Sequence, residues 1–373
     1  MPTIAHLITG LETGGAERML GRLVAASDRS RFHQVVISLT GLGTTGQQIA
    51  ETGIDVRTLG AQRGLPDPRA LFRLRAILRK LRPDIVQTWL YHADFLGLLA
   101  HWLGGVPRLV WNLRATETVG SGIVRPLLAR FSGVPNAIIV NSLAGKRFHQ
   151  QLGYRPRRWI HIPNGFDTAV LRPDPEARRR VRIELGLAAE TIAILLPARY
   201  HPMKDHATFL AAAARLAAQR PEVHFCLIGT GIGPDNRALA SAIVAHRLGD
   251  RVSLLGERGT LDGLYPAVDI VSLSSAFGEG FPNVLAEAMC CEVPCVATDT
   301  GDAALIVGDT GVVVPPRDPA ALAAAWNRLI AIGAEGRRAL GAAARQRIVG
   351  NYDLARIVSQ YEAAYETTGA MQA

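Results

Sequence analysis

A chain of 373 residues is too long for one ordinary core and comfortable for two domains of about 150 to 200 residues each. With 48% hydrophobic and 20% charged residues it can bury sizeable cores, which excludes extensive disorder, and no apolar run approaches the roughly 18 to 20 residues of a membrane-spanning helix. The net charge is +9, yet residues 1–170 hold 21 Lys and Arg against 10 Asp and Glu, a net +11, while residues 171–373 hold 20 against 22, a net −2; a basic half meets nucleic acid, an anionic membrane or an anionic substrate, and charge alone does not choose among them.

The first apolar stretch, TIAHLI, reads as a strand and not as a signal peptide, because no basic segment precedes it and Gly10 and Glu12 follow at once. The loop Glu12-Thr13-Gly14-Gly15-Ala16-Glu17 then leads into a helical pattern beginning near Arg18. Gly14 and Gly15 permit close backbone approach, and the helix start offers unpaired N–H groups to an anion. A turn that only joins strand to helix accounts for the same residues. Further short runs rich in Ile, Val and Leu follow, namely HQVVISL, DVRTL, DIVQTWL, RLVWNL, AIIVN and IHIPNG. Such runs between longer helical patterns mark parallel strands buried on both faces by crossover helices.

Among those helices, Arg69–Arg82 places Leu71, Leu74, Leu78 and Leu81 on one stripe and Arg69, Arg73, Arg75, Arg79, Lys80 and Arg82 around it. A crossover helix with a basic outer face fits this pattern, and so does an electrostatic dock onto anionic lipid. A linker is expected at about 165–180, where NGFDTAVLRPDPEARRR combines two X-Pro steps with a charge run. The second series of strands is TIAILLPAR, VHFCLIG, VSLLG, DIVSLS, PCVATD and VVVPP. Two successive doubly wound α/β domains follow from the alternation. A last helical pattern, IVGNYDLARIVSQYEAAY, is placed to cross back onto the first domain. The four cysteines, Cys226, Cys290, Cys291 and Cys295, show no zinc spacing and read as buried thiols of a reducing cytoplasm.

Two segments of the second half carry chemistry. Arg199 ends one strand and Lys204 stands five residues on at a helix entrance, where an open α/β sheet binds its ligands; two cations there suit a diphosphate. The segment from Ser274 to Met289 leaves a strand, turns through Gly278-Glu279-Gly280-Phe281-Pro282 and enters a helix at Asn283. Backbone donors of Asn283, Val284 and Leu285 in the first turn suit phosphate oxygens, Glu287 suits a ribose hydroxyl, and Glu279 suits a sugar hydroxyl.

GEGFPNVLAEAM resembles the E-x7-E motif of retaining GT-B glycosyltransferases, family 4. The resemblance runs over nearly the whole chain, through GGAER, NSLAGKRFHQQLGY, HIPNGFD, ARYHPMKD, IGTGIGPD and TDTGDAALIVGDTG. It implies two Rossmann-like domains facing across a cleft, an acceptor-binding domain over residues 1–168, a nucleotide-sugar-binding domain over 169–350 and a returning helix over 351–373. By that resemblance Arg199 and Lys204 neutralise the donor diphosphate, Glu279 touches the donor sugar, Glu287 binds the ribose, and the Gly14-Gly15 loop closes over the site. Gly280, Phe281, Pro282, Asn283, Val284 and Leu285 complete the donor-binding set. The family commonly carries a histidine in the loop after the fourth strand; the expected positions here hold Gln87 and Trp89, so His92 is the candidate to take its place.

The resemblance thus implies transfer of a hexose-type sugar from a UDP- or GDP-sugar, with retention and without a metal or other cofactor, to a lipid-linked saccharide or glycolipid. The setting implied is bacterial surface polysaccharide or glycolipid synthesis, in the cytoplasm or on the inner membrane face. A soluble acceptor and a non-transferring relative such as a 2-epimerase are the alternatives. Nucleic acid is not an expected partner, since the basic half lacks an aromatic-interleaved patch or a recognisable module.

Overall fold

Thirteen strands alternate with fourteen α-helices in a computed structural model that describes residues 1–62, 67–114 and 124–370. The chain divides into two units, residues 1–165 with 354–373, and residues 166–353.

The first unit runs β1 (Thr3–Ile8), α1 (Gly15–Ala26), β2 (His33–Ser38), α2 (Gly43–Glu51), β3 (Asp55–Thr58), α3 (Pro68–Leu81), β4 (Ile85–Trp89), α4 (Tyr91–Trp102), β5 (Leu109–Leu113), α5 (Val124–Arg130), β6 (Ala137–Val140), α6 (Leu143–Gln151) and β7 (Trp159–His161). Its seven strands pair in parallel in the order β3-β2-β1-β4-β5-β6-β7, so the order reverses between β1 and β4. Both faces of the sheet are covered, as an all-parallel sheet requires. One face packs Met19, Leu20 and Leu23 of α1, and the other packs Leu74 and Leu78 of α3.

The second unit runs α7 (Pro175–Glu184), β8 (Ile192–Pro197), α8 (His206–Ala217), β9 (Val223–Ile228), α9 (Arg237–Ala245), β10 (Val252–Leu254), β11 (Ile270–Leu273), α10 (Asn283–Cys290), β12 (Cys295–Thr298), α11 (Ala303–Val307), β13 (Val312–Val314), α12 (Pro319–Ala331) and α13 (Gly333–Tyr352). Its sheet has the order β10-β9-β8-β11-β12-β13, reversing between β8 and β11. All four cysteines are buried free thiols in this unit. The last helix, α14 (Leu354–Ala370), belongs to the first unit, where Ile357, Val358, Tyr361 and Tyr365 join the core beneath β1 and β4.

The structure differs from the sequence reading at several boundaries. The unit change falls at 165/166 and 353/354, where the sequence reading put 168/169 and 350/351. The charge run assigned to a linker is helical: Asp174 accepts from the Ala177 N–H and Pro175 opens α7. Two of its arginines are structural, since Arg178 (2.7 Å) and Arg182 (3.2 Å) pair with Asp269. Helix α1 starts at Gly15, three residues before the expected Arg18, because Gly14 stands at the N-cap with an extended backbone (φ −138°) that needs no glycine. The single C-terminal pattern is two helices, broken at Asp353. On α3 the leucine stripe is buried at Leu74 and Leu78, but Arg73 is not free, because it donates to Leu59 O and pairs with Asp67. Phe72 on the same helix is 69% exposed.

Three buried histidines tie stability to pH. His6 donates from Nε2 to Gln34 Oε1 (2.7 Å) and accepts from Trp89 Nε1–H at Nδ1 (3.2 Å), so it must be neutral. His149 donates from Nδ1 to Gly145 O (2.7 Å), and its Nε2 lies 2.7 Å from the Tyr91 hydroxyl, which can donate to the neutral ring. Burial lowers the pKa of His6, His149 and His206 to about 4 each. Between about 4 and 6.5 the unfolded chain therefore binds protons that the folded chain refuses, and stability falls as pH drops through that window. Asp94, whose carboxyl burial pushes up, acts in the opposite sense as one group against three. The melting temperature is expected to fall from pH 7 to pH 5, each histidine costing on the order of 1–2 kcal/mol. A scan that is flat or rising over that range contradicts the assignment of neutral histidines.

Candidate active site

In the second unit the sites named by the sequence gather at the carboxyl ends of β8 and β11, the strands on either side of the order reversal, which is where open α/β sheets bind ligands. β8 is followed directly by the buried Ala198 and the exposed Arg199. Gly229 (φ +143°) lies directly against this strand end; a Cβ there would sit 2.6 Å from Ala198 O and 2.8 Å from the Arg199 nitrogen. Arg199 makes no ion pair among the described residues, so its cation is uncommitted. Beyond it, His201 Nδ1 accepts from the Met203 N–H and caps a short 3-10 turn, Pro202–Lys204. Asp205 then caps α8 through the Thr208 N–H and hydroxyl.

Lys204 and Glu279, 75 residues apart in the chain, form an ion pair of 2.5 Å, and both are largely buried. The Ser275 hydroxyl donates to the same carboxylate oxygen at 2.5 Å. Four further bonds hold the loop in place: Ser274 Oγ to Lys204 O (2.7 Å), Ala276 N to Met203 O (2.8 Å), Thr298 Oγ1 to Ser275 O (2.7 Å) and Asp302 N to Gly280 O (2.9 Å). Gly301 (φ +63°) closes on this loop so tightly that a Cβ would lie 2.6 Å from the carbonyl oxygens of Glu279 and Gly280. Phe281 packs on Phe166 and Tyr352, which anchors the turn before α10.

Helix α10 begins at Asn283 with Pro282 at its N-cap, which makes no side-chain cap bond, and the Leu285 N–H turns back onto Pro282 O at 3.2 Å. The first turn carries the positive end of the helix dipole. Glu287, one turn further on, accepts from the Tyr265 hydroxyl at 2.8 Å. Burial and then the Glu287 carboxylate hold the Tyr265 phenol well above the usual range, so it serves as a donor. Thr300 Oγ1, buried beside the Gly301 loop, has no hydrogen-bond partner among the described residues. No group of three or more His, Cys, Asp and Glu able to hold a metal occurs among the described residues. A groove along α7, lined by Arg178, Asp269, Glu292 and Arg337, includes none of these site residues.

The remaining sequence candidates lie in the first unit. Gly14, Gly15 and His92 stand at the carboxyl ends of β1 and β4, again on either side of the order reversal. His92 is exposed in the first turn of α4, which the chain enters through Leu90 at φ +73°, a strained value for a non-glycine residue. Gln87 and Trp89, where a histidine was expected, are core residues: Gln87 Oε1 accepts from the Tyr365 hydroxyl (2.6 Å) and Trp89 Nε1 donates to His6. Sequence reasoning missed Ser275 and Tyr265. The Ser274-Ser275 pair beside the glycine-flanked acid was the available signal for the first; nothing local marked the second.

Residues 13–170 match the family model Glycosyltransferase Family 4, and residues 191–331 match Glycosyl transferases group 1. The chain belongs to the family 4, group 1 type of glycosyltransferases. Among relatives of this glycosyltransferase, a D-inositol 3-phosphate glycosyltransferase of Geodermatophilus obscurus is 32% identical over 230 residues, covering 57% of this chain and 48% of that protein. A phosphatidyl-myo-inositol mannosyltransferase of Mycolicibacterium smegmatis is 31% identical over 259 residues, covering 68% of this chain and 61% of that protein. The matched stretches thus span about half to three fifths of those relatives. The crystal structure of Anabaena HepE with UDP superposes with a TM-score of 0.86 at 23% identity, covering 98% of this chain and all of that one, and places the two units in the GT-B fold.

Proposed function

We propose that this glycosyltransferase takes a hexose-type sugar from a nucleoside diphosphate donor and transfers it, with retention, to a lipid-linked or saccharide acceptor. The observation that carries the reading is the Lys204–Glu279–Ser275 cluster at the mouth of α10, with Arg199 uncommitted beside it and Glu287 held by Tyr265. On this reading the donor diphosphate displaces Lys204 from Glu279. Arg199, Lys204 and the α10 amides receive the phosphates, and Glu279 is released to accept from a sugar hydroxyl while Glu287 accepts from the ribose. HepE has been crystallised with UDP-glucose, which supports a nucleotide-sugar donor.

The bond from the anomeric carbon to the phosphate oxygen breaks, the acceptor oxygen attacks from the same face, and its proton passes to the departing phosphate. Arg199 and Lys204 stabilise the developing charge on the leaving group. His92 is assigned to the acceptor side, on the strained turn after β4. Two of the relatives are described as acting on inositol 3-phosphate and phosphatidylinositol, which supports an acceptor carrying a polar headgroup. The net +11 of residues 1–170 and the exposed Phe72 on α3 support contact with an anionic membrane face.

The test is incubation of the full chain with UDP- and GDP-sugars at low salt, with and without phosphatidylglycerol vesicles. Slow release of the nucleoside diphosphate from one donor, with the sugar's anomeric configuration kept in any transfer product, is expected. Absence of release from every donor overturns the donor reading, and failure to sediment with the vesicles removes the membrane contact.

A further inference from the structure

The chain enters α4 through a backbone conformation that does not suit the residue there. Leu90, between β4 and α4, stands at φ +73° and ψ +155°, a region that steric contacts all but reserve for glycine. Such a conformation persists only where the surrounding structure over-determines it. Two bonds from one residue do so here. The Thr88 hydroxyl, on β4, donates to Asp94 Oδ1 in the first turn of α4 at 2.5 Å, and the Asp94 N–H donates to Leu90 O at 2.9 Å. Asp94 therefore ties the strand end to the helix start across the strained residue. Gly97 lets the helix come this close, since a Cβ there would lie 2.5 Å from Thr88 Cγ2.

Thr88 and Asp94 are fully buried, and Asp94 Oδ2 has no hydrogen-bond partner among the described residues. A carboxyl group taken out of water with one of its oxygens unbonded is costly. The other buried residues of α4 are Tyr91, Ala93, Gly97, Leu98 and Ala100, so the acid is out of character with the core it enters, and its bond to Thr88 is what the side chain contributes. Tyr91 is anchored as well, its hydroxyl lying 2.7 Å from His149 Nε2 on α6. Of the first turn, Tyr91, Ala93 and Asp94 are buried and His92 is exposed. The clamp thus fixes the turn through its buried residues and leaves His92 at the carboxyl edge of the sheet, beside the β1/β4 reversal.

We propose that Thr88 and Asp94 are positioning residues for sugar transfer: their bond keeps the entry of α4 in its strained form, and that form sets His92 for the acceptor step. The inference rests on the transferase reading above, which assigns His92 to the acceptor side.

The experiment is a double-mutant cycle on the full chain, with UDP-glucose and GDP-mannose as donors, water as the acceptor and release of the nucleoside diphosphate as the rate. His92→Ala is expected to lower kcat at least about tenfold. Asp94→Leu is expected to do the same, with the donor KM within about threefold of wild type, because the donor is bound by the other unit. In the His92→Ala background, Asp94→Leu is expected to cost less than about twofold more, since a residue that acts through His92 has nothing left to position. Burial holds the Asp94 carboxyl well above the usual carboxylate range, so a neutral amide can stand in for it. Asp94→Asn, which keeps an acceptor oxygen for Thr88, is accordingly expected to stay within about threefold of wild type. Losses that multiply in the double variant overturn the inference and leave the donor reading standing. The same holds for a kcat within about threefold of wild type in His92→Ala or Asp94→Leu, and for an Asn variant as slow as the Leu variant. Where Asp94→Leu does not fold, Thr88→Val, which removes the same bond with a side chain of the same shape, carries the cycle. No release by wild type from either donor overturns the transferase reading, and this inference with it.

Discussion

Replacing Lys204 with Ala is expected to lower turnover at saturating donor by about a hundredfold to a thousandfold, the range seen when one donor to a developing oxyanion is removed. Two consequences follow from one deletion. The leaving diphosphate loses the cation that Glu279 positions at 2.5 Å, and Glu279 is left buried with Ser275 as its remaining described donor. The second consequence concerns stability, because breaking one half of a buried ion pair costs about 3–5 kcal/mol, while removing both halves costs much less. The double variant Lys204→Ala with Glu279→Gln is therefore expected to regain most of the lost melting temperature and none of the turnover. Measured kcat within about threefold of wild type in Lys204→Ala removes Lys204 from the chemistry. Recovery of kcat in the double variant gives it a structural role only.

Gly301→Ala is expected to abolish transfer by about a hundredfold or more while leaving the fold cooperative. At φ +63° the backbone already disfavours a side chain, and the atoms that a Cβ would meet at 2.6 Å are the carbonyl oxygens of Glu279 and Gly280. Backbone cannot swing aside as a side-chain end can. The loop must move, and with it the carboxylate that Lys204 and Ser275 hold, and displacements of about 1 Å at such a group cost about a hundredfold in rate. Gly186→Ala is the matched control, because it has nearly the same φ (+65°) and nothing within 4 Å of the added carbon. It is expected to cost about 1 kcal/mol of stability and no activity. Equal kcat in the two variants contradicts the proposed role of the Gly301 contact.

How much of this was legible in the chain differs by element. The buried strands of both units are present as short Ile, Val and Leu runs, because a strand covered on both faces is apolar throughout. The start of α10 is present as a glycine-flanked acid followed by Pro282, and the spacing from Glu279 to Glu287 is present as written. Boundaries were less legible. The arginines of α7 look like a linker's charge run until Asp269 is seen to bind two of them. Gln87 and Trp89 look like occupants of a loop until α14 and His6 cover them.

By itself, then, the sequence determined two doubly wound α/β halves, the excess of positive charge in the first, and the acids and cations beside the strand ends of the second. Those properties depend on residues near one another in the chain, and periodicity and spacing report them directly. Only the tertiary structure decided which of them meet. β8 lies beside β11, and so Lys204 reaches Glu279 and Ser275; the turn at Tyr265 reaches Glu287; α14 returns Tyr361 to Arg114 across more than half the chain. Strand order and the return of α14 are set by the burial of whole faces against one another, an energy summed over many distant residues, and no local pattern encodes that sum.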